Sequence, residues 1–522
     1  MPDTTPPEYE LGDTKLKQDG LSKGQVMAAD EGSLERVEID EKESRRVLRK
    51  IDWHLMPLLC VVYGLQFLDK TSLSYASVMG IRQARDIDLG EYSWLSSAFY
   101  LGYLVGEFPI SYLLARLPLA KFTALTVFVW GGVLCCMAVA PDFKTLFVVR
   151  FFLGFLEAGI TPAFTIVTSQ WYAKREQGTR TGIWFSCNAL SLILGAVMAY
   201  GFAEADKSGD LSLPGWQVIF IFMGCLTSAF GVVLAIWLPD SPLSARFLSA
   251  EDQQIALERI RGNKESTGAQ SFKMYQVKEA FLDLNTWLYS LCAISLNVPN
   301  GAFTNFFSIL IKSFGYSTTE SLLYNAPSGA VVFVFVASCL YLGDRYQHRI
   351  AFAIFAVSTS AAAVLLIWFL PVSNKTGRLI AIYFVNCSTV GFVVLLSLIA
   401  SNVAGRTKSE QSLSEYAFSA FIPLDAFVAE VTVAAIMLVA YCVGNLIGPQ
   451  TFREQDAPRY SPAFGTAFGC FMLGNAVFAI IWWRNSRENR RRREYMAANA
   501  TESSDNYADL TDRENKTFMY VI

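Results

Sequence analysis

The chain has 522 residues, 53% hydrophobic and 14% aromatic but only 17% charged, with a mean hydropathy of +0.33. Soluble domains carry about a quarter charged residues, so about three or four soluble domains cut from this length would lack the polar surface to cover them. The net charge of −3 is the sum of segregated acidic and basic blocks; no basic domain points to nucleic acid, and lipid is the solvent that fits.

Residues 1–50 are polar and acidic, with no apolar core of a signal peptide, and read as a disordered cytoplasmic tail. The first span then serves as the membrane-targeting signal. A crossing needs about 20 mainly apolar residues. That ruler gives Leu55–Ala76, Trp94–Leu114, Phe122–Ala140, Leu146–Trp171, Gly182–Ala203 and Val218–Leu238 as a first group, within 51–239. A charged linker, 240–284, follows; its SAEDQQIALERI has the amphipathic pattern of a cytoplasmic surface helix. The second group, within 285–483, is Thr286–Leu310, Tyr324–Leu342, Ile350–Leu370, Leu379–Val403, Val431–Ile447 and Ala463–Trp483. Residues 484–522 form a second cytoplasmic tail. The prediction is an all-α integral membrane fold of twelve transmembrane helices in two six-helix bundles, the layout of a secondary transporter built from parallel halves.

Lysines and arginines in the short loops do not decide the orientation. The flanks do: Arg45, Arg46, Arg49 and Lys50 precede the first span, and Arg484, Arg487 and Arg490 to Arg493 follow the last. Both termini are expected in the cytoplasm. The ten cysteines all lie in apolar segments, and His54 and His348 are the two histidines. No CxxC pair, metal cluster, nucleophile–base set or phosphate loop is present in the sequence, so neither a cofactor nor an enzyme is expected.

An ionisable side chain at bilayer depth is costly and marks a candidate site. In RFFLGFLEAGITP, Arg150 and Glu157 stand seven apart, on one helix face and about 10 Å apart in height. A guanidinium grips a carboxylate through paired hydrogen bonds, and a desolvated glutamate exchanges protons. The pair suits an anion site coupled to a proton; the alternative is a structural pair with Arg150 snorkelling outward. LDKTSLSYA puts Asp69 and Lys70 past the middle of the first span, with Lys70 at the depth of Arg150. Either the two cations draw an organic anion, or Asp69 and Lys70 bridge internally. In GYLVGEFP, Gly102 and Gly106 have the spacing of close helix approach, and Glu107 faces either a water cavity or a neighbouring helix. The seventh span carries Asn297, Pro299, Asn300 and Asn305: a bend with amides able to orient a polar ligand. GNLIGPQ, from Gly444 to Gln450, reads as small-residue packing. Asp344, Arg345 and Arg349, in YLGDRYQHR, form a charged loop suited to holding one conformation closed.

Taken together, the segments from Ile51 to Arg493 resemble the major facilitator superfamily, specifically the fungal allantoate permease branch of its anion:cation symporters. The DR-containing loop resembles the second copy of the superfamily's inter-span motif. SYLLARLPLAKF resembles a degenerate first copy, with Ala115 where an acid is usual and Arg116 kept. WYAKREQGTRTGIWFS, LPDSPLSARFL, PNGAFTNF, NAPSGA, SNVAGRTK, YCVGNLIGPQTF and APRY look like signatures of the branch. RFFLGFLEAGITP is also similar to the fourth span of vesicular glutamate and sialic acid transporters, which implies Arg150 on the substrate anion and Glu157 in proton coupling. The usual first-span pattern of a basic residue and an asparagine two positions on is met by Lys70 but broken by Ser72.

The resemblance also isolates an insertion. After SNVAGRTK the branch continues almost directly into the eleventh span, whereas here residues 409–430 intervene. Ser409–Glu410 read as AGT-GAG holds a GTGAG donor, and Ala429–Glu430 read as GCA-GAG a CAG acceptor; excision leaves one lysine codon. A retained intron is one reading and an inserted loop the other.

The expected function is proton-coupled uptake of a small organic anion (allantoate, ureidosuccinate, nicotinate, pantothenate or a similar carboxylate) across the plasma membrane, by a monomer. Arg150, Lys70, Asn297, Asn300 and Asn305 would bind substrate, Glu157 and Glu107 would serve the proton, and Arg116, Asp344, Arg345 and Arg349 the gate. A drug or metabolite exporter and a non-transporting nutrient receptor are the rivals.

Overall fold

The computed structural model describes residues 40–265, 274–403, 432–498 and 511–522. The insertion 409–430 lies outside the described residues. Among those described there is no strand. The first half consists of α1 (Glu41–Met79), α2 (Leu89–Arg116), α3 (Leu119–Val139), α4 (Phe143–Glu157), α5 (Ile160–Trp171), α6 (Lys174–Ser208) and α7 (Gly215–Trp237). Two linker helices follow, α8 (Ala250–Glu265) and α9 (Met274–Leu282). The second half is α10 (Leu284–Ser313), α11 (Thr318–Leu323), α12 (Ala326–Tyr346), α13 (Arg349–Phe369), α14 (Lys375–Val385), α15 (Thr389–Asn402), α16 (Thr432–Ile447) and α17 (Ser461–Ala498). The pairs α4–α5, α11–α12 and α14–α15 each make one broken span. Among the described residues, ten spans are long and apolar enough to cross a membrane on those grounds alone. The polar-centred α10 and the short α16 complete the twelve.

The sequence sets the helix ends. Asp88 caps α2 by accepting from Glu91 N, and the Glu91 side chain returns the bond in a capping box. Asp142 caps α4 through Thr145 N, and Ser317 with Glu320 repeats the box at α11. Gly209, with φ 78°, closes α6 in the left-handed conformation that glycine tolerates.

Within lipid, helices gain little from hiding apolar surface and pack instead by close backbone approach. A Cβ on Gly154 of α4 would collide with the Phe99 carbonyl of α2, and one on Gly102 with the Phe151 carbonyl of α4. Spans 2 and 4 therefore meet backbone to backbone. Gly448 likewise abuts the Val298 carbonyl of α10, so GNLIGPQ does pack through its small residues.

The linker marks one face of the molecule, here the linker face, where α1 begins and α17 ends; the opposite side is the far face. On the linker face, buried Asp252 of α8 takes Arg46 at 2.8 Å and Lys50 at 2.5 Å from the start of α1. Burial opposes the Asp252 charge, but the Lys50 and Ser249 hydrogen bonds and the nearby cations outweigh it and hold the carboxyl below its ordinary range. Arg259 of α8 grips Glu176 of α6 with two bonds of 2.8 and 2.9 Å. Asp52 and Arg180 clamp α1 to α6 at 2.8 and 3.2 Å. The amphipathic segment is thus a helix pinned by ion pairs to the first half.

The glycine contacts set a test. Gly154→Val should cost about 3 kcal/mol or more, because the obstruction is backbone rather than a movable side chain. Gly132→Val, where a Cβ meets nothing within 4 Å, should leave the melting temperature and the monodisperse yield unchanged.

Candidate functional site

Spans 1, 4, 7 and 10 each carry a proline or a break. α1 contains Pro57 and α10 contains Pro299. Span 10 passes through a 3-10 turn at Asn386–Ser388. Span 4 breaks directly after Glu157. The cause is Pro162, which has no N–H for the carbonyl four residues back and whose ring crowds it. Broken helices at mid-depth are the usual way a transporter presents polar groups to a ligand.

Four charges meet there in a crossed arrangement. Lys70 Nζ lies 2.8 Å from Glu157 Oε1, and Arg150 Nη1 lies 3.9 Å from Asp69 Oδ1. Asp69 Oδ2 also accepts from Trp130 Nε1 of α3 at 2.7 Å. Neighbouring residues on a helix point about 100° apart, so Asp69 and Lys70 reach different residues of α4 rather than each other. Arg150 and Glu157 likewise do not pair with one another; each takes its partner from α1. Glu157 and Asp69 are fully buried and Arg150 is 2% exposed, whereas the Lys70 side chain keeps 17%. Lys70 is thus the more exposed cation of the set. Two of the Arg150 guanidinium nitrogens, Nε and Nη2, are buried without a hydrogen-bond partner.

Aromatic rings wall the site. The Lys70 ammonium lies 5.6 Å from the Phe99 ring centre and 5.8 Å from that of Tyr103, within cation–π range. Tyr100 and Tyr103 face Tyr441 of α16 at 6.0 and 6.4 Å, and Phe392 of α15 packs on Tyr441 at 5.6 Å. The wall therefore draws on both halves. Glu107 sits one turn from Tyr103 toward the linker face and is half-buried.

The three asparagines of α10 do not act as one set. Asn445 of α16 donates to Asn297 Oδ1 at 3.1 Å and accepts from Asn300 Nδ2 at 3.0 Å, tying spans 7 and 11 together. Asn297 also donates to the Ala293 carbonyl at 2.8 Å and is buried. Asn305, also buried, donates to the Gly301 carbonyl at 2.8 Å. Asn300 is the half-buried member of the three. On the linker face, Asp344 pairs with Arg349 at 2.6 Å, and Arg349 donates to Ser397 at 2.9 Å. Arg345 is exposed in the last turn of α12. Arg116 lies 4.8 Å from the Tyr112 ring centre.

Several participants left no mark in the sequence. Trp130 sits in an apolar run, and Tyr100, Tyr103 and Tyr441 look like core aromatics. Buried Gln66, one turn before Lys70 and beside Glu157, is a polar group at bilayer depth that the same membrane-cost argument would have found. The named hydrogen bonds between the halves all lie toward the far face. Tyr92 OH donates to the Asn305 carbonyl at 2.7 Å, Lys312 to the Val78 carbonyl at 3.3 Å, and Ser74 to Ser308 at 3.2 Å. Ser97 donates to the Leu446 carbonyl at 2.8 Å and accepts from Gln450 at 3.0 Å. The far face is closed.

Residues 59–449 match the Major Facilitator Superfamily. The chain belongs to that superfamily. It is 36% identical to the allantoate permease of Saccharomyces cerevisiae, over 93% of this chain and 88% of that one. It is 39% identical to an uncharacterised transporter of Schizosaccharomyces pombe, over 93% and 91%. The xylose transporter XylE from E. coli, in a partially occluded inward-open conformation, superposes with a TM-score of 0.60 at 14% identity, over 82% of this chain and 97% of that one. The likeness to the fungal allantoate permease branch, read from the motifs, is thus met across nearly the whole chain. Superfamily membership makes this a multi-pass membrane transporter.

The Asp69–Arg150 pair has a stability signature. Asp69→Ala leaves a buried guanidinium uncompensated and should cost about 3–5 kcal/mol. Asp69→Leu combined with Arg150→Leu should recover most of that loss, read as a thermal shift of purified protein.

Proposed function

We propose that this transporter takes up a small organic anion together with a proton across the plasma membrane, as a monomer with its linker face in the cytoplasm. The observation that carries the reading is the Lys70–Glu157 ion pair of 2.8 Å inside a buried set of two acids and two bases. The set has no net charge at rest. A substrate carboxylate entering alone would leave one negative charge uncompensated in a medium where that is expensive. A proton on Glu157 releases Lys70, the ammonium then holds the carboxylate, and neutrality returns. One anion brings one proton.

The remaining parts follow from placement. The unspent N–H groups of Arg150 supply a second hold on the anion, and the Asn300 amide orients the body of the ligand. Asn297 and Asn305 shape α10 around it. Glu107 offers a relay for the proton toward the linker face. Asp344, Arg345, Arg349 and Arg116 stand where that face must open and close. A relative named allantoate permease supports a ureido-carboxylate such as allantoate as substrate, with ureidosuccinate, nicotinate and pantothenate as further carboxylates to screen.

Uptake of labelled allantoate in cells lacking related permeases tests the scheme. Glu157→Gln cannot take up a proton and leaves Lys70 permanently unpaired. Exchange of labelled for unlabelled allantoate should persist, while accumulation driven by an imposed pH gradient falls at least tenfold. Lys70→Gln should lose both. Glu157→Gln with an unaltered response to pH removes the residue from coupling.

A further inference from the structure

The α17 helix runs 38 residues, from Ser461 to Ala498, about 57 Å at the helical rise and far beyond a bilayer crossing. The part past the membrane carries an arginine run that, in the sequence, is only a topology signal. Its members differ in the structure. Arg490, Arg491 and Arg493 are exposed, while Arg492 is 7% exposed. Asn485, Asn489 and Arg492 share one face of α17 and, with Asn402 at the end of α15, form a polar cradle on the linker face.

Segment 511–522 fills that cradle. Asn489 holds Tyr520 by both backbone groups: its Nδ2 donates to the Tyr520 carbonyl at 2.7 Å and its Oδ1 accepts from Tyr520 N at 2.8 Å. Asn402 holds Val521 in the same two-way fashion, at 3.0 and 2.6 Å. Arg492 donates to the carbonyls of Asp512, Asn515 and Phe518 at 2.9, 3.2 and 2.7 Å. Its guanidinium also lies 4.7 Å from the Tyr520 ring centre. Tyr520 OH closes the loop by donating to Asp512 Oδ2 at 2.8 Å. At the other end Thr511 donates to Glu279 of linker helix α9 at 3.0 Å. An amide matches the donor–acceptor pair of an extended peptide, and a guanidinium collects several carbonyls at once. With the segment in place, Asn402, Asn485 and Asn489 are each under 5% exposed.

We infer that Asn402, Asn485, Asn489 and Arg492 constitute a peptide-binding site whose ligand is segment 511–522, and that its occupancy favours the conformation closed at the far face. The docked segment joins α9 to the ends of spans 10 and 12, bracing the linker-face end of the second half. A bound element shifts a conformational balance toward the state it fits, and the state it fits here has the far face shut. Thr511 is the point of release. A phosphate or carboxylate there would face Glu279, with Asp512 and Glu514 close in sequence, and like charges oppose docking.

The full chain with a protease site inserted between residues 499 and 510 tests the site without reference to substrate. After cutting, segment 511–522 should stay with the transporter through size exclusion. Retention should fall at least tenfold in Val521→Pro, which removes the N–H held by Asn402, and in Thr511→Glu. Loss of the unmodified segment, or equal retention of all three, overturns the site. The conformational part is read on uncut chains carrying Val78→Cys, a 5%-exposed position at the closed far face. Maleimide labelling, corrected for the parent without that cysteine, should be at least threefold faster with Thr511→Glu. An unchanged rate overturns the coupling and leaves the uptake scheme untouched.

Discussion

Charge balance in a medium of low polarisability governs the centre of this molecule. Two acids and two bases lie among aromatic rings, and each is tolerable only because another is near. The crossing of the pairs matters as much as their existence. Asp69 is committed to Arg150 and Trp130, a fixed scaffold on spans 3 and 4. Lys70 and Glu157, with the exposed edge on Lys70, are the pair that can exchange partners. On the proposed scheme Lys70 and Glu157 exchange partners, while Arg150 keeps its place against Asp69 and offers its remaining N–H groups to the anion.

The backbone around the charges is arranged to serve them. Close glycine contacts lock spans 2 and 4 together over Phe99, Phe151 and Gly154, so Tyr103 and Glu157 are held by one rigid unit. Directly past Glu157 the helix is broken by Pro162, which frees local backbone beside that carboxyl. Span 7 meets span 11 through Gly448 and the Asn297–Asn445–Asn300 chain. The second half therefore presents its side of the cavity, Tyr441 included, as another rigid unit.

How much of this was legible in the sequence follows from the kind of signal each part leaves. Spans are written in about 20 apolar residues at a time, so their number and order were readable, including the polar-centred α10 and the short α16. Charges inside spans are conspicuous, so Lys70, Asp69, Arg150 and Glu157 stood out. Their pairing did not, because spacing along one helix suggested Arg150 with Glu157, while the partner in each case comes from another span. Asn445 lies in an apolar run, and only the packing of span 11 on span 7 brings it to Asn297 and Asn300. Trp130 and the tyrosine wall are apolar side chains in apolar runs. Arg492 sits in a row of arginines whose burial differs only once the chain has folded back on itself.

The balanced quartet also bears on the electrical side of transport. A central set that sums to zero when empty, and again when a proton and a monoanion are both aboard, crosses between its two orientations without moving net charge through the field. On that account the membrane potential exerts no direct pull on either passage of the carrier. On the proposed scheme the gradient of acidity, rather than the voltage of the cell, is what such a site would draw upon.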